Sequence, residues 1–176
     1  FPLPNHVELV DQLGEKHLPL LFFVFSRRWC EAHASELVAD HNYLSKEEIL
    51  LVEEATERHL WGREIQRLGS VVQLREILRR GIAYHHAGLL PACKELVEEL
   101  FERRLIKVLY ATETFAVGVN FPVRTVCFDS YTKYDGRGFR QLTVGEYFQM
   151  AGRAGRRGID EQGFVYTMVD LNFYQP

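Results

Sequence analysis

The chain has 176 residues, 47% of them hydrophobic, and a formal net charge of -3 at pH 7. This size and composition argue against an intrinsically disordered chain and predict a single domain that spans residues 1–176. The longest apolar run, residues 18–25, is about one strand long, and no signal peptide precedes it. We therefore expect no membrane association and an intracellular protein, cytoplasmic or, in a eukaryote, nuclear.

The first half of the chain predicts one strand and several helices. A short helical segment at residues 6–17 leads into a buried strand at residues 20–26. An amphipathic helix follows at residues 31–41, and Ser45-Lys-Glu-Glu is a capping-box signature that opens the next one. A further helix is expected at residues 71–80.

In the second half, strands and helices alternate closely. Strands are predicted at residues 82–85, 106–111, 125–129 and 163–169, helices from Pro91 and at residues 144–155, and a hairpin at residues 131–141. This alternation predicts an α/β fold with a mostly parallel sheet and helices on both faces. In such sheets ligands bind beyond the carboxyl ends of the strands, here after Phe25, His85, Ala111 and Asp129, and near the helix that begins at Val144.

Charge is distributed unevenly along this order of elements. Residues 31–57 contain eight acidic and one basic residue, whereas residues 133–157 contain six basic and two acidic ones. The basic segment could meet phosphate, although a charge run is more often a solvated surface. Three widely spaced cysteines predict neither a disulfide framework nor a zinc site, and we expect no bound metal.

A segment with closely spaced glycines and arginines carries the strongest functional signal, Gln149-Met-Ala-Gly-Arg-Ala-Gly-Arg-Arg-Gly158. On a helix, Gln149, Gly152, Arg153 and Arg156 would project from one face. Guanidinium groups beside small residues suit a phosphate whose charge rises during reaction. The alternative is a solvated basic helix, which for Arg157 is as good an interpretation as a functional one.

Two other segments place polar groups directly after apolar strands. Thr112, Glu113 and Thr114 follow one strand and precede Gly118 and Asn120, a pattern typical of ligand contacts. The threonines could equally be helix N-caps, and both roles are compatible because a cap also frees backbone amides for an anion.

The second such segment contains His85 and His86 at a strand end, before Gly88. Adjacent side chains on a strand point to opposite faces, so the two imidazoles are poorly placed to bind one metal. We expect one to contact a backbone phosphate and the other to form a hydrogen bond in the core, the structural role being the default for His85.

Four segments together resemble superfamily-two helicases of the superkiller-type branch, whose members deliver RNA to degradation machinery. They resemble motif IV, the HHAGL element, motif V and motif VI, and read Phe22-Phe-Val-Phe-Ser-Arg27, His85-His-Ala-Gly-Leu-Leu-Pro91, Ala111-Thr-Glu-Thr-Phe-Ala-Val-Gly-Val-Asn-Phe-Pro122 and Gln149–Gly158. The segment from Tyr131 to Arg140 is also similar, with Tyr134 where the branch often has tryptophan. The resemblance covers residues 20–170 and implies a second, C-terminal RecA-like lobe.

The resemblance implies a role for each matching residue. Arg153 and Arg156 would reach ATP phosphates bound on the first lobe, with Gln149 near the attacking water and Gly152 beside them. Gly118 and Asn120 would couple the nucleotide to the nucleic acid. The residues implied at the nucleic-acid strand are Ser26, Arg27, His86, Gly88, Thr112, Glu113 and Thr114.

The ATP-binding half of a helicase is missing from the sequence. The chain has no Gly-Lys-Ser/Thr loop to hold phosphates and no acidic magnesium motif. We therefore expect ATP and Mg to be held mainly by a first RecA-like lobe outside this chain, and the isolated lobe to be inactive. The expected partners are that lobe, single-stranded RNA or DNA, and an RNA-degradation complex.

Two alternatives remain open from the sequence. A DNA-repair helicase lobe would share motif VI, and a catalytically inert RecA-like lobe could serve as a protein-binding module. The helicase hypothesis also makes a demand on geometry. The guanidinium groups of Arg153 and Arg156 should not be buried, or locked to carboxylates far from the ligand edge of the sheet.

Overall fold

The computed structural model describes residues 5–62, 64–118 and 120–171. Its helices and strands, in chain order, are α1 His6–Leu13, β1 Leu20–Phe23, α2 Arg27–Val38, α3 Lys46–Leu60, α4 Gly69–Leu78, β2 Ile82–His85, α5 Pro91–Glu102, β3 Val108–Ala111, α6 Thr114–Gly118, β4 Thr125–Phe128, β5 Thr132–Tyr134, β6 Phe139–Gln141, α7 Val144–Ala151 and β7 Phe164–Thr167. Short 3-10 helices lie at Glu15–His17 and Glu64–Arg67. No helix within these ranges combines the length and apolarity needed to cross a bilayer.

Five strands form a parallel sheet in the order β2-β3-β1-β4-β7. The central strand β1 is apolar throughout, and all four of its residues are buried. Such continuous burial requires cover on both faces of the sheet. β5 and β6 pair separately as the predicted antiparallel hairpin.

Contacts from the sheet to the helices show that both faces are covered. The Tyr110 hydroxyl in β3 forms a hydrogen bond of 2.8 Å with Nδ1 of His6 in α1. Phe128 of β4 stacks on Tyr147 of α7 with ring centroids 4.8 Å apart. Tyr110 is aligned through β1 with Cys127, the neighbour of Phe128, so the two contacts lie on opposite faces. The predicted α/β fold is confirmed.

Several predicted boundaries differ from those observed. The first strand ends at Phe23 rather than at residue 26, and α2 begins at Arg27 rather than at residue 31. The reason is Ser26, whose side chain accepts a hydrogen bond from the Trp29 amide and caps α2. The capping box at Ser45 is confirmed, because Ser45 and Glu48 exchange side-chain-to-backbone hydrogen bonds.

The last helix is shorter than predicted, and this changes the geometry of the strongest motif. α7 ends at Ala151, and Gly152 forms its C-cap. The following chain runs beside Val123, whose amide donates to the Arg153 carbonyl and whose carbonyl accepts from the Gly155 amide. Gly155 has a φ of +86°, which glycine adopts without strain. The prediction that Gln149, Gly152, Arg153 and Arg156 share one helical face is therefore wrong.

The candidate residues lie at both ends of the strands of the parallel sheet. At the carboxyl end, the chain leaves β1, β2 and β3 toward Ser26, His86 and Thr112. At the amino end, it enters β1 through Pro19 and β4 through Arg124. Strands of four residues separate the two ends by roughly 13 Å.

Candidate functional site

Arg153 joins the end of α6 to the segment after α7. Its Nη1 donates to Asn120 Oδ1 at 2.9 Å, and its Nη2 donates to the Ala116 carbonyl oxygen. The guanidinium thus ties the motif after α7 to the motif after β3. The two segments were separate in the sequence argument and form one unit here.

Arg156 is held by a buried carboxylate. Its Nε and Nη2 donate to the two oxygens of Asp160 at 2.8 Å each, and its backbone amide donates at 2.9 Å. Arg124 adds a hydrogen bond to the same carboxylate at 3.1 Å. The hydrogen bonds from Arg156 hold the pKa of Asp160 well below its usual range. The carboxylate is therefore ionised at neutral pH.

The position of Arg156 corrects the geometric expectation in two respects. Arg156 is paired with a carboxylate, and it lies at the amino end of the sheet, not beyond the carboxyl ends of the strands. Its side chain nevertheless remains 14% exposed, whereas Asp160 is 1% exposed. Arg156 borders a surface cavity of about 370 Å³ together with Pro19, Asn120 and Arg157. The guanidinium is therefore accessible from outside.

The remaining predicted nucleotide contacts lie near this cavity or on α7. Asn120 lines the cavity and accepts from Arg153. Gly118 is the last residue of α6, and a Cβ built there would meet no atom within 4 Å. Gln149 is exposed on the last turn of α7, one turn before Gly152 and Arg153. Arg157 is exposed.

At the carboxyl end, Arg27 and Gly88 lie side by side. A Cβ at Gly88 would be 3.4 Å from Arg27 Nη1 and 3.1 Å from His86 Nδ1, so a larger residue there would require the His86 ring to shift. Arg27 is exposed directly after the cap residue Ser26. The structure thus brings together four residues predicted at the nucleic-acid strand, Ser26, Arg27, His86 and Gly88.

The adjacent histidines are both buried and point to opposite faces of the sheet, as predicted. His85 Nε2 lies 2.8 Å from Glu98 of α5, and burial lowers the pKa of His85. His86 Nε2 lies 2.8 Å from Glu31 of α2, and its Nδ1 accepts from the Gly88 amide at 3.1 Å. Neither ring is at the surface, so neither is placed for the expected direct contact with a backbone phosphate, and His86 instead holds the loop at Gly88.

The segment after β3 is exposed and connected to the hairpin. The hydroxyls of Thr112 and Thr114 are 3.0 Å apart. Glu113 accepts from Lys133 at 2.6 Å, and Lys133 also pairs with Glu146 at 2.7 Å. The carboxylate of Glu113 is therefore used to hold the hairpin beside α6 and α7.

Sequence reasoning missed Asp160. The available signal was its spacing, because Asp160 follows Arg156 by four residues and such pairs often meet in a turn or helix. It also missed Arg124 and the ion pairs of Lys133. These contacts join residues that are far apart in the sequence, and no local pattern indicates them.

One further cluster of potential metal ligands is found within the described ranges. Donor atoms of His6, His33 and Glu36 lie within 4.8 Å of one another. The two imidazole rings are stacked, with centroids 3.9 Å apart and planes 21° apart. Imidazole lone pairs lie in the ring plane, so two rings stacked face to face direct their lone pairs side by side and not toward one point. The contact between His6 and Glu36, at 2.7 Å, joins α1 to α2.

Comparison with known proteins finds relatives over most of the chain. The family model described as "Helicase conserved C-terminal domain" matches residues 42–158. The chain is 48% identical over 164 residues to the antiviral helicase SKI2 of Saccharomyces cerevisiae, covering 92% of this chain and 13% of that protein. It is 45% identical over 170 residues to the exosome RNA helicase MTR4 of Mus musculus, covering 94% of this chain and 16% of that protein.

A third relative, superkiller complex protein 2 of Homo sapiens, is 52% identical over 153 residues, which cover 86% of this chain and 12% of that protein. The chain thus spans less than a fifth of each of these three relatives. Together they confirm the resemblance to the superkiller-type branch of superfamily-two helicases. Since the family model covers well over half of the chain, the chain belongs to the helicase conserved C-terminal domain family.

Proposed function

We propose that this chain is the second RecA-like lobe of an ATP-dependent RNA helicase. In this function it completes an ATP site formed mainly by a first lobe, and it grips single-stranded RNA at the other end of its sheet. The similarity to MTR4, which is named an exosome RNA helicase, supports an RNA substrate over the DNA-repair alternative.

The observation that carries this proposal is the cavity bordered by Asn120, Arg156 and Arg157. Amide and guanidinium donors bind phosphate oxygens, and arginine remains charged at any physiological pH. The cationic part of the lining, Arg104, Arg156 and Arg157, therefore suits the outer phosphate of a nucleotide, while Glu102 and apolar side chains form much of the remaining wall. Magnesium prefers several oxygen ligands, and its binding falls to the first lobe together with the rest of ATP.

Each predicted residue at the amino end has a role in this function. Arg156 stabilises the charge that develops on the transferred phosphate, and Arg153 supports the same phosphate and the Asn120 segment. Gln149 orients the attacking water. Gly118 and Gly152 carry no side chain that would keep the first lobe at a distance.

At the carboxyl end, the strand is held by its phosphates and sugars. Arg27 supplies a cation, while Ser26, Thr112 and Thr114 supply hydroxyls, and the Gly88 loop allows close approach of the backbone. His86 and Glu113 contribute by fixing these groups through Gly88 and Lys133. Contacts of this kind read no base sequence.

The Arg156–Asp160 pair also favours a second candidate, an inert lobe that binds a protein partner. A guanidinium that is fully committed to a structural ion pair would have no role in catalysis. The two candidates differ in one measurable property, which is the dependence of ATP turnover on Arg156.

Replacing Arg156 with alanine in the full-length protein tests the choice. We expect ATP turnover to fall about a thousandfold or more, the effect of removing a transition-state arginine, while single-stranded RNA binding persists. Arg80→Ala, an exposed arginine that has no role in the proposed site, removes the same charge and should leave turnover unchanged. Unchanged turnover in Arg156→Ala would favour the inert lobe.

A further inference from the structure

Asp160 is the most constrained acidic residue around the proposed nucleotide site. Its side chain is 1% exposed and accepts four hydrogen bonds, three from Arg156 and one from Arg124. Because the Arg156 backbone amide is one of the donors, the carboxylate fixes both the backbone and the side chain of the same arginine.

The bidentate pair leaves part of the guanidinium free. Arginine has five N–H groups in a rigid planar fork. The Arg156 side chain uses one N–H on Nε and one on Nη2 for Asp160, so both N–H groups of Nη1 and the second one of Nη2 point away from the carboxylate. Fixing one edge of a planar group also fixes the direction of its other edges.

We infer that Asp160 is a positioning residue for ATP hydrolysis, which holds the Arg156 guanidinium with its free edge directed at the transferred phosphate. The inference rests on the proposed function of Arg156 and extends it to a residue that contacts no substrate. An unrestrained arginine would have to be ordered in each catalytic cycle, whereas a clamped one is ready when the lobes close.

A purely structural role for Asp160 is the competing explanation, because the carboxylate also holds the turn after α7. Arg124 offers a matched control. Its Nη1 donates to Asp160 Oδ1, the oxygen that also accepts from Arg156 Nη2, and its guanidinium lies over the Phe164 ring at 5.7 Å. Arg124→Met therefore loosens the same cluster and leaves the Arg156–Asp160 pair in place.

The test compares variants of the full-length protein by steady-state ATP hydrolysis. For Asp160→Asn we expect kcat to fall about 10- to 100-fold, as small misplacements of catalytic groups do, with little change in KM for ATP. Arg124→Met should keep kcat near the wild-type value even if its melting temperature falls. In the double variant Arg156→Ala/Asp160→Asn, kcat should be no lower than in Arg156→Ala alone, because residues that act as a unit are not additive.

A binding measurement provides a readout that does not depend on turnover. ADP–aluminium fluoride mimics the phosphate in transfer, whereas ADP lacks it. Asp160→Asn should reduce the preference for ADP–aluminium fluoride over ADP while leaving the affinity for ADP unchanged. A simple loss of stability would weaken the binding of both.

Asp160→Glu keeps the buried charge and so protects folding, but it moves the carboxylate outward by one methylene. A folded Asp160→Glu variant with wild-type kcat would overturn the inference, as would equal losses of kcat in Asp160→Asn and Arg124→Met. If Arg156→Ala itself retains turnover, the proposed function fails. If Arg156→Ala is inactive and Asp160→Asn is not, only the positioning role fails.

Discussion

At the scale of single residues, charge pairing decides which side chains are available for ligands. Lys133, Arg140 and Arg156 all come from the basic segment at residues 133–157, and each is paired with a carboxylate. The charge count of that segment therefore overstates the positive surface. Lys133 is the clearest case, because its side chain is 11% exposed and lies between Glu113 and Glu146.

Replacing Lys133 with methionine should destabilise the chain by about 1–2 kcal/mol at neutral pH. This cost lies between those typical of losing an exposed and a buried salt bridge. Hydrogen bonds from Arg140 and then Lys133 lower the pKa of Glu146. A lowered carboxyl pKa gives stability that is present above the unfolded-state pKa and is lost as the pH falls toward the folded-state pKa.

The cost of Lys133→Met should accordingly shrink between pH 7 and pH 3. Urea unfolding at both pH values measures it, and the exposed Lys16→Met is the control, with no comparable change. An equal cost at both pH values would show that Lys133 stabilises by packing and not by charge.

At the scale of elements, α7 links the two ends of the sheet. It begins after the hairpin near the carboxyl end and delivers Arg153 and Arg156 to the amino end. Its N-terminus is fixed by a capping box, in which Thr143 and Glu146 exchange side-chain-to-backbone hydrogen bonds. The first turn also receives the ion pairs from Lys133 and Arg140. The direction of α7 thus depends on the hairpin.

Thr143→Ala should lower the free energy of unfolding by about 1 kcal/mol, a typical cost for losing an N-cap. Ser45→Ala removes the equivalent cap of α3 and should cost about the same. Denaturant unfolding compares the two in the 176-residue chain. In the full-length protein, only Thr143→Ala should also reduce ATP turnover, because α3 carries none of the proposed site. Equal effects on turnover would argue against a special role for α7.

At the scale of the whole molecule, the fold separates the two proposed activities. The groups proposed to contact nucleic acid lie at the carboxyl end of the sheet, and Arg153 and Arg156 lie at the amino end. α6 and α7 run between them, and Arg153 joins α6 to the segment after α7. A change at one end can therefore be transmitted to the other through packed elements.

Because the two groups of residues lie at opposite ends of the sheet, we expect a variant at one end to change RNA binding without changing ATP turnover. Arg27→Ala in the full-length protein should weaken binding to single-stranded RNA and lower the slope of log K against log salt by about 0.7, the value for one phosphate contact. ATP turnover at saturating RNA should change little. Fluorescence anisotropy over a range of salt concentrations measures the slope, and an unchanged slope would remove Arg27 from the strand contacts.

The element types, the parallel α/β fold and the family could be predicted from the sequence, because these depend on local periodicity, caps and short motifs. It predicted the Ser45 capping box and the opposite directions of His85 and His86 correctly for the same reason. It also extended α7 too far, since the backbone bonds from Val123 that redirect the chain after Gly152 come from a distant segment.

The directions of the candidate side chains follow from tertiary packing. The pairing of Asp160 with Arg124, the burial of His86 against Glu31, and the two-sided pairing of Lys133 all depend on the packing of elements that are distant in sequence. Such contacts form only when all the helices and strands have packed together, because the packing of the whole core determines where each element lies. A local pattern can therefore name the residues of this site, but it cannot give their partners.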